Sequence, residues 1–141
     1  MKPSFIYEFT PYLIDSETKE IVYRPILPVI IIHQGIETLT LGLIDSGADE
    51  CSFPGRIGRE IGHKIEKGRP RVFGGVGGTV TAYLHQNYIR VQDVEIRCDM
   101  YFSDEWNDWG FGLLGRHGFF THFKILFDYP HKRFRLTPII K

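Results

Sequence analysis

Short apolar segments separated by turn residues run along most of the chain. These segments are rich in β-branched and aromatic residues, and the turn residues recur at short intervals. This pattern is typical of many short strands in a sandwich or barrel, so we predict a mostly β protein. The predicted strands cover residues 7–14, 21–23, 29–32, 38–44, two segments within 72–84, 88–91, 94–102, 124–127 and 133–136.

An N-terminal hairpin is predicted because the polar residues 15–19 lie between the strands 7–14 and 21–23, as a turn between two strands does. A second turn is expected at Gln34 and Gly35. The strand that follows, 38–44, alternates leucine with smaller or polar residues and ends directly before Asp45.

Helical patterning is weak. Ile57, Ile61 and Ile65 are spaced four apart, as on one face of a helix. Gly58 and Gly62 each weaken a helix by about 1 kcal/mol, however. Only a short or irregular helical turn is therefore expected after Pro54.

The composition fits one globular domain, with 141 residues, 43% of them hydrophobic and 24% charged. A chain of this length can bury enough apolar surface to fold without disulfides or metal ions. We therefore expect Cys51 and Cys98 to be free thiols.

Charge and hydropathy exclude several classes of partner. Seventeen basic and seventeen acidic residues leave no net positive charge to neutralise phosphates, so nucleic acid is not an expected partner. The first residues lack the apolar run of a signal peptide, and the longest apolar stretch, 26–32, is interrupted by Pro28. We expect a cytoplasmic protein with no membrane partner.

Asp45 is the principal candidate for chemistry. It follows the apolar residues 41–44 and precedes Ser46 and Gly47, which favour a tight turn whose backbone amides can face a carboxylate. The tripeptide Asp-Ser-Gly alone is a common turn sequence. The longer segment 43–49, with Ala48 after the glycine, resembles the aspartic protease signature.

Two further segments occur in the order expected of retropepsin-like aspartic proteases, and with residues 43–49 they make the chain resemble that family. Residues 73–79 are glycine-rich, like the family's flap, the hairpin that closes over a bound peptide. Residues 111–116 are similar to its apolar-apolar-glycine segment, which packs beside the catalytic loop and leads into a short helix. Many relatives have Asp or Asn where this chain has His117.

The resemblance implies an all-β fold, a small closed β-barrel of retropepsin type with a glycine-rich flap hairpin and one short C-terminal helix at 115–123. It implies one domain over residues 1–141. Within it, 1–28 form an N-terminal extension or hairpin, 29–136 the core and 137–141 a tail.

The family's chemistry requires two carboxylates that share one proton, because like charges a few ångströms apart cannot both ionise. This chain has a single Asp-Ser-Gly, so the resemblance implies a homodimer with Asp45 from each subunit. Ser46 is then expected to hydrogen-bond across the dimer, although a simple turn serine is an equal alternative. Asp49 is interpreted as a loop-bracing or substrate-side carboxylate.

Substrate is expected to bind as an extended peptide between the flap and the floor of the site. Ala48 would lie beside its backbone. The flap residues expected to cover it are Gly75, Val76, Gly77 and Gly78.

Other types of site have weaker support. The glycines at 74–78 are not followed by Lys-Ser or Lys-Thr or by a helical pattern, which argues against a phosphate-binding loop. No zinc-ligand spacing or thiol-hydrolase signature surrounds the cysteines, so no metal or cofactor is expected. Trp106 and Trp109 are interpreted as loop packing or as exposed anchors of an interface.

The resemblance is consistent with two functions. The first is an aspartic endopeptidase, active as a homodimer on peptide or protein substrates. The alternative is a non-catalytic retropepsin-like module that binds a peptide or protein in the same groove. Viral retropepsins dimerise through interleaved terminal strands, whereas this chain adds a hairpin at 124–136, so the mode of dimerisation stays open.

Overall fold

The structure, a computed structural model, describes residues 3–139. Strands make up 55% and helical residues 12%, which confirms the mostly β prediction. The strands are β1 (Phe5–Glu8), β2 (Thr10–Ile14), β3 (Ile21–Arg24), β4 (Ile26–His33), β5 (Ile36–Ile44), β6 (Cys51–Pro54), β7 (Arg69–Gly75), β8 (Gly78–His85), β9 (Tyr88–Val91), β10 (Val94–Arg97), β11 (Met100–Ser103), β12 (Gly112–Leu114), β13 (Phe123–Asp128) and β14 (Arg133–Pro138).

Among residues 3–139, helical structure is confined to short elements. One α-helix, α1 (Gly55–Glu60), has six residues, which agrees with the short turn expected after Pro54. Two 3₁₀ turns cover Ile65–Lys67 and Asp104–Trp106, and a distorted helical segment covers Arg116–Phe120. None of the helices in the described part of the chain is long and apolar enough to cross a membrane.

The largest sheet has nine strands in the order β10-β9-β4-β5-β12-β6-β11-β8-β7. Its centre brings together strands that are distant in sequence. Strand β12 runs parallel to β5 and antiparallel to β6, so it lies between the two strands that flank the Asp45 loop.

The expected closed barrel is not found among residues 3–139, because the end strands β10 and β7 do not pair with each other. The reason lies in β7. Most of its residues are exposed, and it pairs along its whole length with β8 in a projecting hairpin, so it does not return to the far edge of the sheet.

The N-terminal hairpin is confirmed in β2 and β3, with a register shift between Pro11 and Leu13. The segment predicted as one strand, 7–14, is divided by Phe9. Its first part belongs to β1, which pairs with β14 in a separate three-stranded sheet of order β1-β14-β13. Strand β14 therefore has neighbours on both edges.

The predicted strand 94–102 is also divided, into β10 and β11. Strand β10 pairs with β9, whereas β11 pairs with β6 and β8. Between them, the backbone N–H of Cys98 donates to the carbonyl oxygen of Asn87 at 2.9 Å. The strand thus changes neighbours at Cys98, which sequence patterning did not indicate.

The continuous helix expected at 115–123 is not formed. His117 and Gly118 have non-helical backbone angles, with φ of +99° at Gly118. Tertiary contacts explain the distortion, because the His117 N–H donates to the carbonyl oxygen of Asp49 at 2.8 Å. A Cβ at Gly118 would lie 2.9 Å from the sulfur of Cys98, so only glycine fits against that thiol.

The main core lies beneath the nine-stranded sheet and the Arg116–Phe120 segment. Its largest fully buried side chains are Leu27, Ile31, Phe53, Ile61, Ile65, Ile89, Met100, Phe102, Leu114, Phe119, Phe123 and Phe134. A smaller buried cluster of Ala82, Tyr101 and Trp106 packs beside the β7–β8 hairpin.

Candidate active site

Asp45 directly follows the buried Ile44, the last residue of β5, and begins a tight turn. Its backbone N–H donates to the carbonyl oxygen of Leu114 at 3.0 Å, which joins the loop to β12. Its Oδ1 accepts the N–H of Gly47 at 2.9 Å, and its carbonyl oxygen accepts the N–H of Ala48 at 3.2 Å. The carboxylate is half-buried and is held in a defined position by the turn.

The segment that begins at Arg116 holds the other side of this loop. The Arg116 N–H donates to the carbonyl oxygen of Ala48 at 2.9 Å, and the His117 N–H donates to that of Asp49. The side chains of Arg116 and Asp49 form an exposed ion pair. Three contacts therefore connect the loop to a segment some 67 residues further along the chain.

The β7–β8 hairpin carries the glycines that sequence analysis singled out. Gly75 pairs with Gly78 and encloses a two-residue turn of Val76 and Gly77. Gly77 has φ of +96°, which L side chains rarely adopt. Val76 is fully exposed at the tip.

A groove of about 550 Å³ lies between this hairpin and the loop. Its walls are formed by the hairpin, by Ala48 and Asp49 of the loop, and by Trp106, Trp109 and Leu113. Asp45 itself lies outside the lining. A single chain thus has a groove that borders the loop carrying Asp45.

Glu50 and Arg71 add charge to the groove. Glu50 lies 3.5 Å from Arg71 and 3.0 Å from Nδ1 of His117. The Arg71 guanidinium also lies over the rings of Phe73 and Tyr101, at 4.9 and 5.6 Å. A hydrogen bond with Tyr101 and the charge of Glu50 raise the pKa of Arg71. Sequence reasoning missed both groove residues, since neither belongs to a recognisable motif.

The two tryptophans stack on each other, with ring centroids 4.7 Å apart and an angle of 15° between planes. Trp106 is buried and packs edge-on against Phe73 at 5.8 Å, whereas Trp109 is half-buried. Of the two interpretations from sequence, Trp106 is loop packing, and both rings form one wall of the groove.

Both cysteines are free and buried. The sulfur of Cys51 accepts the Gly115 N–H at 3.4 Å, beneath the Asp45 loop. A hydrogen bond with Cys51, together with burial, raises the pKa of the Cys98 thiol. Within residues 3–139, no group of three or more His, Cys, Asp and Glu side chains is arranged to hold a metal ion.

The structure therefore brings Ala48, Asp49, Gly75, Val76 and Gly78 to one groove. The remaining candidate residues, Asp45, Ser46, Gly47 and Gly77, lie outside its lining, the first three in the loop at its edge and the last at the hairpin tip.

No protein-family model matches the chain, and no curated protein matches it. Solved structures do match the chain. EIAV protease complexed with the inhibitor HBY-793 is 26% identical and aligns with 66% of this chain and 82% of its own, with a TM-score of 0.50. A retropepsin-like aspartic protease from Rickettsia conorii is 10% identical and aligns with 100% of this chain and 95% of its own, with a TM-score of 0.60. The chain therefore has the fold of retropepsin-like aspartic proteases.

Proposed function

We propose that this protein is an aspartic endopeptidase, active as a homodimer with one catalytic Asp45 from each subunit. The observation that carries the proposal is the position of Asp45, in a turn fixed to β12 at the edge of a groove beneath a glycine-rich hairpin. The fold, shared with aspartic proteases, supports it.

The reaction needs a base and an acid, and two facing Asp45 side chains that share one proton supply both. The ionised Asp45 removes a proton from water, which attacks the carbonyl carbon of the peptide bond. The protonated partner stabilises the developing oxyanion and then supplies a proton to the leaving nitrogen. Because each chain supplies a single Asp45, the second subunit is part of the proposed site.

We propose that Ser46 and Gly47 support the catalytic turn, with Ser46 facing the second subunit, and that Ala48 lies beside the substrate backbone. Ser46 and Gly47 are exposed in the single chain, as residues at a subunit interface would be. Asp49, held by Arg116, positions the loop from its far end.

We propose that the β7–β8 hairpin is the flap. Strand β7 is at the end of its sheet, so its outer edge can pair with an extended peptide. In the proposed dimer the exposed Val76 covers the substrate, and Gly77 allows the tip to bend.

The dimer we propose differs from one built on interleaved terminal strands. Strand β14 already pairs with β1 on one edge and β13 on the other. Its backbone groups are therefore committed within one chain, and the interface is expected to use other surfaces.

The alternative function, a non-catalytic peptide-binding module, is favoured by one observation: the groove of a single chain does not include Asp45. Two measurements separate the functions. The mass in solution reports whether a dimer forms, and cleavage of a peptide library with and without a transition-state mimic of peptide hydrolysis reports turnover. An endopeptidase gives a dimer whose cleavage the mimic blocks, whereas a binding module binds peptides and cleaves none.

A further inference from the structure

Cys51 and Cys98 form a pair of thiols that the proposed reaction does not use. Both are fully buried, and a hydrogen bond joins their side chains. A Cβ at Gly118 would lie 2.9 Å from the Cys98 sulfur and 3.6 Å from the Cys51 sulfur. The two sulfurs therefore meet beneath Gly118, although Cys51 begins β6 and Cys98 precedes β11.

A cavity of about 350 Å³ lies on the outer side of this segment. Its lining includes Gly118 together with Glu50 and Asp99, each of which is next to one of the cysteines in the chain. Gly118 is half-buried and has no side chain. It thus borders both the cavity and the two sulfurs.

The two thiols have different surroundings. The Cys51 sulfur accepts the Gly115 N–H at 3.4 Å, and such a contact favours a thiolate. The Cys98 thiol lies 3.9 Å from the carbonyl oxygen of Asp99, and its hydrogen bond with Cys51, together with burial, raises its pKa. Because the thiolate is the reactive form, Cys51 is the better placed of the two to attack an oxidant.

We propose that Cys51 and Cys98 are a site of reversible oxidation by a small peroxide, which reaches the sulfurs past Gly118 and converts the two thiols into one disulfide. The Cys51 thiolate attacks a peroxide oxygen, the O–O bond breaks, and Cys51 becomes a sulfenic acid as water leaves. The Cys98 sulfur then attacks the Cys51 sulfur, the S–O bond breaks, and a second water leaves with the Cys98 proton. Two thiols are oxidised, and one hydrogen peroxide is reduced to two waters.

The disulfide changes how the Asp45 loop is supported. In the reduced protein, Cys51 contacts the Gly115 N–H and donates to the carbonyl oxygen of His117 at 3.5 Å. Oxidation removes the proton of Cys51 and draws its sulfur toward Cys98, so the segment that holds Ala48 loses an anchor. Peptide cleavage is then expected to fall about tenfold. This effect on cleavage rests on the proposed function, whereas the disulfide does not.

The test treats the reduced protein with hydrogen peroxide and then alkylates it under denaturing conditions, with and without prior reduction by dithiothreitol. Mass spectrometry is expected to show the loss of two hydrogen atoms and a peptide pair joined through Cys51 and Cys98. Both cysteines are expected to resist alkylation until dithiothreitol is added. Unchanged alkylation, separate overoxidation of the two cysteines, or a disulfide between two copies of the chain would each overturn the site.

Cys98→Ala separates the two steps. In this variant Cys51 is expected to stop at the sulfenic acid, which dimedone captures, and no disulfide forms within the chain. Absence of the dimedone product in a folded Cys98→Ala protein would overturn the role of Cys51 as first nucleophile. The measurement on the parent does not depend on this variant, so it decides the question even where Cys98→Ala fails to fold.

Cleavage of a peptide library, measured before and after peroxide, keeps the site distinct from the proposed protease. A disulfide in a parent that cleaves no peptide would support the site and contradict the protease. Cleavage by a parent that forms no disulfide would leave the protease standing and overturn the site. Cleavage at an unchanged rate despite a complete disulfide would overturn the effect on the loop.

Discussion

Arg116 and Asp49 form an ion pair across the base of the Asp45 loop, and the Arg116 backbone also donates to Ala48. More than half of each side chain is exposed, so the pair contributes little to global stability. We predict that Arg116→Ala lowers peptide cleavage by about tenfold or more, through a less ordered loop, while the melting temperature changes by no more than a few degrees.

Lys64→Ala, at another exposed cation, is the matched control and is expected to leave both quantities unchanged. A parallel fall of stability and activity in Arg116→Ala would mean that the ion pair supports the fold in general. Unchanged cleavage would mean that the loop does not need the pair.

Gly77 provides a test of the flap. Its φ of +96° strains any β-branched side chain, although a Cβ there would meet open space. We predict that Gly77→Val impairs turnover more than folding, because the hairpin tip loses the conformation needed to close. Cleavage rate and melting temperature are measured together, with Val72→Thr, on the exposed part of β7, as the control. A folded Gly77→Val protein that cleaves normally would exclude a closing role for the tip.

The sequence patterns correctly predicted turns and strands that are determined by neighbouring residues in the chain. The turn at Gln34 and Gly35, the alternation in β5 and the loop at Asp45 all follow from residues close in the chain. The contact of Asp45 with Leu114 was anticipated only through the family resemblance, since no local pattern links residues this far apart.

Features set by long-range contacts were missed. The distortion at Gly118 depends on the packing of Cys98, and the division of 94–102 depends on a change of neighbouring strand. Within residues 3–139, the sheet stays open because β7 pairs only with β8 and does not reach β10. Hydrophobic periodicity does not predict which distant strands pair. Glu50 and Arg71 reach the groove only through tertiary structure.

His63 gives a prediction for pH. It is buried and stacks between His33 and His85, with ring centroids 3.9 and 4.3 Å away, and its Nε2 lies 2.6 Å from Oδ1 of Asn87. Its pKa is lowered from 6.5 to about 4, mainly by burial. The hydrogen bond with Asn87 raises the pKa, whereas repulsion from His85 and His33 lowers it further.

Because the unfolded chain binds a proton at His63 more readily than the folded one, this group makes stability fall as pH decreases from about 6.5 to about 4. The full effect is on the order of 3 kcal/mol. We predict that His63→Phe reduces the pH dependence of the free energy of unfolding in this window, whereas Val72→Thr, at an exposed residue with no ionisable group, does not. Denaturant unfolding at several pH values measures both. An identical slope in the parent and His63→Phe would contradict the assignment.

The most direct test of the central claim is cleavage of a peptide library by the parent and by Asp45→Asn, from mildly acidic to neutral pH. Asn keeps the shape and the Gly47 hydrogen bond but cannot accept a proton from water, so we predict a loss of at least about 100-fold. Melting temperature and solution mass, measured beside it, are expected to be no lower than in the parent, because two facing carboxylates no longer repel each other. A folded Asp45→Asn protein that cleaves at the parent's rate would contradict the aspartic mechanism.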